Sequence, residues 1–483
     1  MNFSMISKVL GMLMMIFSLT LLPPILVAGI YNETTHQDFF LSFAIIFSIG
    51  MLMWLPFSRK TVVLRARDGF LITVMFWLEL GIVGALPFYL TDVINLSFTD
   101  AVFESMSGLT TTGATVLSGL DFLPKSILYY RQQLQWLGGI GIVVIAIAVM
   151  PMLGVGVVQL YRVGATGTTS NSKLTPRITE TAKVLFILYI CLTLACLTAY
   201  WAAGMTFFDA LSHSFSTVAI GGFSTHDASM GFFENNPAII SICIVFMILS
   251  GLSFGLHYYA WIRQSLFHYL HNQEARLYLT MLLAGAILVS LCLYFNGTYS
   301  QSESMYHGVF QFVSIMTTTG FVTDKFTSWP SFLPFFLIFF SFFGACSGST
   351  GGGIKVGRLL IIAKQIMSHV YKLIHPNGVF PVKIKNRRVP HSISDGVWAF
   401  FGIYLAVFYF MLLLLMASGL DYASSWSAAA ASLNNLGPGL GEVSEHYGNI
   451  NAFAKWVLCF GMILGRLEIF TLLVLLTPMF WRK

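Results

Sequence analysis

The chain has 483 residues, of which 56% are hydrophobic and 10% charged, with a mean hydropathy of +0.77. Soluble globular domains carry about 25% charged residues, so this composition excludes a soluble fold and indicates a polytopic membrane protein. The net charge of +6 is scattered over short loops, which suits membrane topology better than a nucleic-acid surface.

A helix needs about 20 apolar residues to cross a bilayer. Ten such runs occur, at 8–30, 38–57, 69–91, 127–153, 183–204, 236–262, 277–295, 331–365, 395–418 and 450–479. The first starts after one lysine, lacks a small-residue cleavage site and reads as a retained span rather than a signal peptide. From the third run onward, shorter and less apolar stretches lie between paired spans, at 97–110, 206–219, 304–317 and 422–434. They are too short to cross and fit re-entrant helices. Each leads into a glycine loop: Thr110-Thr111-Thr112-Gly113-Ala114-Thr115, Ala219-Ile220-Gly221-Gly222-Phe223-Ser224, Thr317-Thr318-Thr319-Gly320-Phe321-Val322 and Asn434-Asn435-Leu436-Gly437-Pro438-Gly439. The glycines are 109, 98 and 117 residues apart (222−113, 320−222, 437−320). Six residues before them stand Ser107, Ser216, Ser314 and Ala431, and nine before stand Glu104, His213, Gln311 and Ala428, which read as buttresses of the short helices. An ordinary turn accounts for one such loop; four in register, each after a half-length helix, indicate an internal repeat.

The expected fold is therefore all-α and polytopic: four span–pore-helix–span repeats around one pore, plus two extra N-terminal spans. The boundaries are 1–68 for the accessory spans, then 69–182, 183–275, 276–392 and 393–483 for the repeats. With the N-terminus inside, all but five of the 26 cations fall on the inner side; the five are Lys125, Arg131, Lys325, Lys455 and Arg466. That bias places every glycine loop outside, and both termini in the cytoplasm. Inverted-repeat transporters alternate the orientation of their halves, whereas these four units all point one way.

Unwound backbone is tolerated at membrane depth only where protein buries it or water lines it. Four such loops imply a shared aqueous path, whose backbone carbonyls can replace a cation's hydration shell. Glycine allows the positive φ that turns carbonyls to an axis. No carboxylate lies within the loops, so a monovalent ion such as K⁺ suits them better than Ca²⁺ or Mg²⁺. Thr99-Asp100 and Asp209, the acids 13 residues before their glycines, read as helix caps; His307 and Ser424 take that place in the other units, where the pattern weakens. His226-Asp227 is placed at the outer mouth.

Two further features lie within apolar runs. Residues 344–355 hold five glycines in twelve, a poor continuous helix, since each costs about 1 kcal/mol relative to Ala. They read as a mobile gate (Gly348, Gly351, Gly352, Gly353 and Lys355), the alternative being a kink for close packing. Ile354-Lys355 stands where a phosphate loop requires K-[ST]. Arg466 lies centrally in the last run, where a cation costs roughly 3 kcal/mol and usually faces protein or water. It reads as an electrostatic barrier below the loops; the alternative is an ion pair with a carboxylate of another span, and Glu468 points elsewhere on a helix. The six cysteines read as packing residues, with no disulfide or metal pattern. The basic loops near 58–68, 154–182, 263–276 and 366–392 are surfaces for a cytosolic regulator or anionic lipid. No nucleotide fingerprint occurs, and no paired aspartates, H-E-x-x-H or Ser/His dyad marks an intramembrane enzyme.

The segments T-T-T-G-A-T, A-I-G-G-F-S-T-H-D-A-S, G-S-T-G-G-G-I-K, N-N-L-G-P-G-L and G-R-L-E-I-F-T-L-L resemble the Trk/Ktr/HKT superfamily of potassium-uptake proteins along nearly the whole chain. The resemblance implies K⁺ uptake across a bacterial inner membrane by a homodimer, under control of a cytosolic nucleotide-binding subunit of the TrkA type. It implies that K⁺ is the transported ion and is held by the carbonyls of Thr111, Thr112, Ile220, Gly221, Thr318, Thr319, Asn435 and Leu436, ahead of the filter glycines Gly113, Gly222, Gly320 and Gly437. In the second loop Ile220-Gly221 replaces two threonines, losing hydroxyl groups but no carbonyl. One glycine per loop implies moderate selectivity for K⁺ over Na⁺. Symport with H⁺ or Na⁺ on the same scaffold is the alternative.

Overall fold

A computed structural model describes residues 2–60, 66–148, 178–330, 332–384 and 387–482. Most of the basic segment 154–182 lies outside them. Among the described residues, six helices are long and apolar enough to cross a membrane: Phe3–Ile30, His36–Phe57, Arg67–Leu90, Ala182–Ala202, Gln273–Phe295 and His391–Ala417. The helix Lys125–Ala148 completes the first glycine-loop unit. The strands among the described residues are Lys383–Ile384 and Arg387–Arg388, an antiparallel pair.

Three of the expected spans are broken, one of them at the glycine-rich segment, where an interruption was expected. The run 236–262 is two helices, Pro237–Gly251 and Phe254–Ile262, bent by 95°; the run 450–479 is Ala452–Arg466 and Phe470–Leu476, bent by 115°. The run 331–365 divides into Leu333–Ser341 and Val356–Ile374, separated by the glycine-rich segment. At the 252–253 break that segment supplies hydrogen bonds to the opened helix. Cys346 N–H donates to Gly251 O (2.9 Å), and Phe254 N–H donates to Gly348 O (3.0 Å). At the last break Glu468 and Ile469 both take φ of 55°, and the Glu468 carboxylate pairs with Arg358.

The four half-length helices are Phe98–Leu109, Phe207–Ala219, Gln301–Met316 and Tyr422–Asn434. Each leans on a span of the preceding unit: the second on Lys125–Ala148, the third on Pro237–Gly251, the fourth on Leu333–Ser341, and the first on Ala452–Arg466. Four units thus close into a ring in chain order. The accessory spans pack on each other and against the first unit; Gly11 and Gly50 cross so closely that a Cβ on either would lie within 3 Å of the other's carbonyl oxygen.

All four short helices begin on a side-chain cap, about one turn earlier than expected in three units and two turns earlier in the third. Ser97 and Thr206 Oγ accept from the N–H groups of Asp100 and Asp209 (3.2 and 3.1 Å). Ser300 forms a reciprocal capping box with Glu303, and Asp421 caps the fourth helix. Asp100 and Asp209 are therefore third-position residues rather than caps, and the pattern does not weaken in the third and fourth units. The caps stand 16 residues before the glycine in three units (113−97, 222−206, 437−421) and 20 in the third (320−300), whose helix is one turn longer.

Candidate functional site

Each short helix ends the same way. The residue two before the glycine is left-handed: Thr111, Ile220, Thr318 and Asn435 have φ of 53°, 56°, 67° and 54°. The next N–H reaches back to the carbonyl five residues earlier, from Thr112 to Ser107 (2.9 Å) and, at 2.8 Å, from Gly221 to Ser216, Thr319 to Ser314 and Leu436 to Ala431. This is the Schellman close, which usually uses glycine at the left-handed position. Four non-glycine residues there mark a conformation held by its surroundings. The loop glycines Gly113, Gly222, Gly320 and Gly437 follow at φ of 80–96°.

The ring closes at those glycines. A Cβ on Gly113 would lie 2.1 Å from Gly221 O; on Gly222, 2.1 Å from Thr319 O; on Gly320, 2.0 Å from Leu436 O; and on Gly437, 2.7 Å from Thr112 O. Each glycine therefore abuts the carbonyl that precedes the glycine of the next loop. The eight residues expected to offer carbonyls are brought together around this ring, and all are buried.

The buttress positions differ by unit. Glu104 accepts from Val116 N–H (2.9 Å), the Thr115 hydroxyl (3.0 Å) and Arg131 Nε (2.7 Å). Arg131 continues to Ser224 O of the second loop (3.2 Å) and sits over the Phe223 ring. His213 bonds Ser224 Oγ (3.0 Å). Gln135 donates to Gly221 O (2.6 Å) and accepts from Phe223 N–H (3.1 Å). Arg131 and Gln135 have no place among the expected site residues. Their signal was nevertheless present: Arg131-Gln132-Gln133-Leu134-Gln135 is a polar cluster inside an apolar run.

On one side the ring opens into a cavity of ≈ 600 Å³, lined by the four glycines together with Asp227, Glu234, Asp324 and Glu445. The segments that follow the loops are linked around it: Gly231 N–H to Val322 O (3.1 Å), Lys325 to Glu445 (2.5 Å) and Tyr447 N–H to Thr115 O (2.7 Å). His226 bonds Asp121 through Nδ1 (2.5 Å) and lies 3.5 Å from Asp209. Burial disfavours its charge, but the Asp209 and Asp121 carboxylates outweigh that and hold the imidazole above its ordinary value.

On the other side the segment 344–355 presses against the loops. Thr350 Oγ1 donates to Val218 O (3.0 Å) and Gly352 N–H to Thr318 Oγ1 (2.7 Å). A Cβ on Gly352 would lie 1.8 Å from Asn434 O, and one on Gly351 2.8 Å from Thr317 O. Glu274 anchors the segment through Ser347 N–H (2.6 Å), and Lys355, left-handed at φ 77°, folds its ammonium back onto Gly351 O. Arg466 is buried and donates to Thr350 O and Gly138 O, both at 3.0 Å. It has no carboxylate partner among the described residues, which overturns the ion-pair alternative; Glu468 belongs to Arg358.

Residues 35–483 match the family TrkH, described as cation transport protein. The chain is 53% identical to the Trk system potassium uptake protein TrkH of Halomonas elongata and 47% identical to that of Escherichia coli K12, with 100% of each chain covered in both cases. It is similar in fold to the potassium transporter TrkH from Vibrio parahaemolyticus, solved by crystallography, at 48% identity and a TM-score of 0.93 over all of both chains.

Proposed function

Because the chain belongs to the TrkH family of cation transport proteins, we propose that it conducts K⁺ into the cell through the ring of four loops. It is a multi-pass membrane protein and a transporter rather than an enzyme. K⁺ is its cargo, by likeness to relatives named as potassium uptake proteins. The observation that carries the reading is the closed ring of glycines and carbonyls, open to an acid-lined cavity on one side.

The ion enters from the outer cavity, where the carboxylates raise its local concentration. It exchanges water for the carbonyls of Thr111, Thr112, Ile220, Gly221, Thr318, Thr319, Asn435 and Leu436. It then meets the segment 344–355, a gate in its closed position, pinned by Glu274 and Arg466. Arg466 adds a positive charge beside that gate, so release of the segment also moves the barrier. The four repeats divide at 69–182, 183–275, 276–392 and 393–483. The protein works in a bacterial inner membrane with both termini cytoplasmic, as a homodimer with a TrkA-type nucleotide-binding subunit on its basic inner face.

The test is Rb⁺ or K⁺ flux, with Na⁺ as competitor, into liposomes holding the purified protein, beside Gly113→Ser. Passive flux favouring K⁺, with a selectivity altered by Gly113→Ser, is the expected result. Flux that requires an imposed proton or sodium gradient moves the reading to symport. Absence of alkali-cation flux, with the regulatory subunit also supplied, overturns the pore.

A further inference from the structure

The second loop is chemically the odd one. In the first and third loops a hydroxyl pair lies behind the carbonyls: Thr110 with Thr112 (2.8 Å) and Thr317 with Thr319 (2.7 Å). The fourth loop has Asn435 Nδ2 bonded to Thr112 Oγ1 and Met462 O, both at 3.0 Å. At the matching positions the second loop has Ala219 and Gly221, which carry no polar side-chain atom.

Gln135 fills that place from another unit. It is fully buried on the span Lys125–Ala148, which belongs to the first repeat. Its carboxamide occupies the space where a side chain on Gly221 would begin: a Cβ there would lie 2.4 Å from Cδ and Oε1 and 2.8 Å from Nε2. The Nε2 donates to Gly221 O at 2.6 Å, and Oε1 accepts from Phe223 N–H at 3.1 Å. One carbonyl needs a donor and one N–H needs an acceptor, so only one orientation of the amide satisfies both. The two bonds straddle Gly222 and fix the peptide on each side of it. The carbonyl held in this way is the one that Gly113 abuts, at the seam of the first and second units.

We infer that Gln135 is the positioning residue that sets the selectivity of the second quarter of the ring, in place of the threonine hydroxyls found in the first and third. The inference rests on the carbonyl-filter reading above. A pinned Gly221 carbonyl cannot move inward to meet a smaller ion, so the brace disfavours Na⁺. Gln135 also explains the sequence: a residue larger than glycine at 221 collides with the amide that does its work.

The experiment is the Na⁺ to K⁺ permeability ratio in proteoliposomes. Because the readout is a ratio, loss of total flux does not enter it. Gln135→Leu keeps the volume and removes both bonds, and is expected to raise the ratio about fivefold, the worth of one ordinary hydrogen bond. If that variant fails to reach the membrane, Gln135→Met replaces it: close in size and without an N–H or O–H donor, it removes the bond to Gly221, and the same rise is expected. Gly221→Ala is expected to be disruptive alone and tolerated in a Gln135→Ala background, a non-additivity that general loss of packing does not produce. An unchanged ratio in the Gln135 variant, with Gly113→Ser altered, overturns the inference and leaves the filter standing. An unchanged ratio in both overturns the filter reading itself. Additive Gly221 and Gln135 effects also overturn the inference.

Discussion

His226 shows how a single side chain ties together the wall of the cavity beside the ring. It faces Asp121 and Asp209, with the His213 ring 6.4 Å away and Phe232 stacked on it. Its folded value lies above its ordinary one, so the stability it adds is full below about pH 6.5 and is lost as pH rises through the raised value. The melting temperature of the purified protein is expected to fall as pH rises above 6.5 and the imidazole loses its proton, and His226→Gln to flatten that fall; an unaltered slope refutes the assignment. The residues on the ring were legible in the sequence, because glycine and small polar residues at fixed offsets carry the positive φ and the carbonyls. Gln135 and Arg131 were not, because their partners lie 86 and 93 residues away on the second loop, and polar residues in an apolar run show that something is bonded without showing what.

The glycine-rich segment is the element whose shape depends most on having no side chains. Gly351 and Gly352 lie in contact with Thr317 O and Asn434 O at distances no Cβ can share. Gly352→Ala is expected to push the segment off the ring and destabilise it by about 1–3 kcal/mol. If this is the closed gate, K⁺ leak without the regulatory subunit rises on the order of tenfold. Leak at the wild-type level in a folded Gly352→Ala protein counts against a gate. Arg466→Ala removes the donor to Thr350 O and Gly138 O, and is expected to raise flux in the same assay; unchanged conductance and uptake tell against its role. The break at this segment was readable from five glycines. Those at 252–253 and 467–469 were not, since Gly251-Leu252-Ser253 and Leu467-Glu468-Ile469 do not break a helix by themselves; they open because the glycine-rich segment and Arg358 supply their partners.

At the scale of the whole molecule the question is what shuts the ring between the last unit and the first. Lys455 of the fourth unit bonds Asp100 of the first at 2.5 Å, and the two side chains are 7% and 21% exposed. Lys455→Met leaves Asp100 largely buried and unpaired, with an expected loss of roughly 3 kcal/mol, read as a lower melting temperature. Lys455→Met with Asp100→Leu is expected to recover most of it; no recovery means that the lysine acts through other contacts. Fourfold order was legible because the glycine spacing repeats, whereas ring closure was not, since Lys455 and Asp100 are 355 residues apart in sequence. The ring runs in one sense around its axis, each glycine set against the following loop's carbonyl, with threonines ahead of the glycine in the first and third loops and other residues in the second and fourth. A pore assembled from identical chains receives every substitution four times over. Here one codon alters one quarter. A substitution in one loop therefore changes one quarter of the ring and leaves the chemistry of the other three as it was.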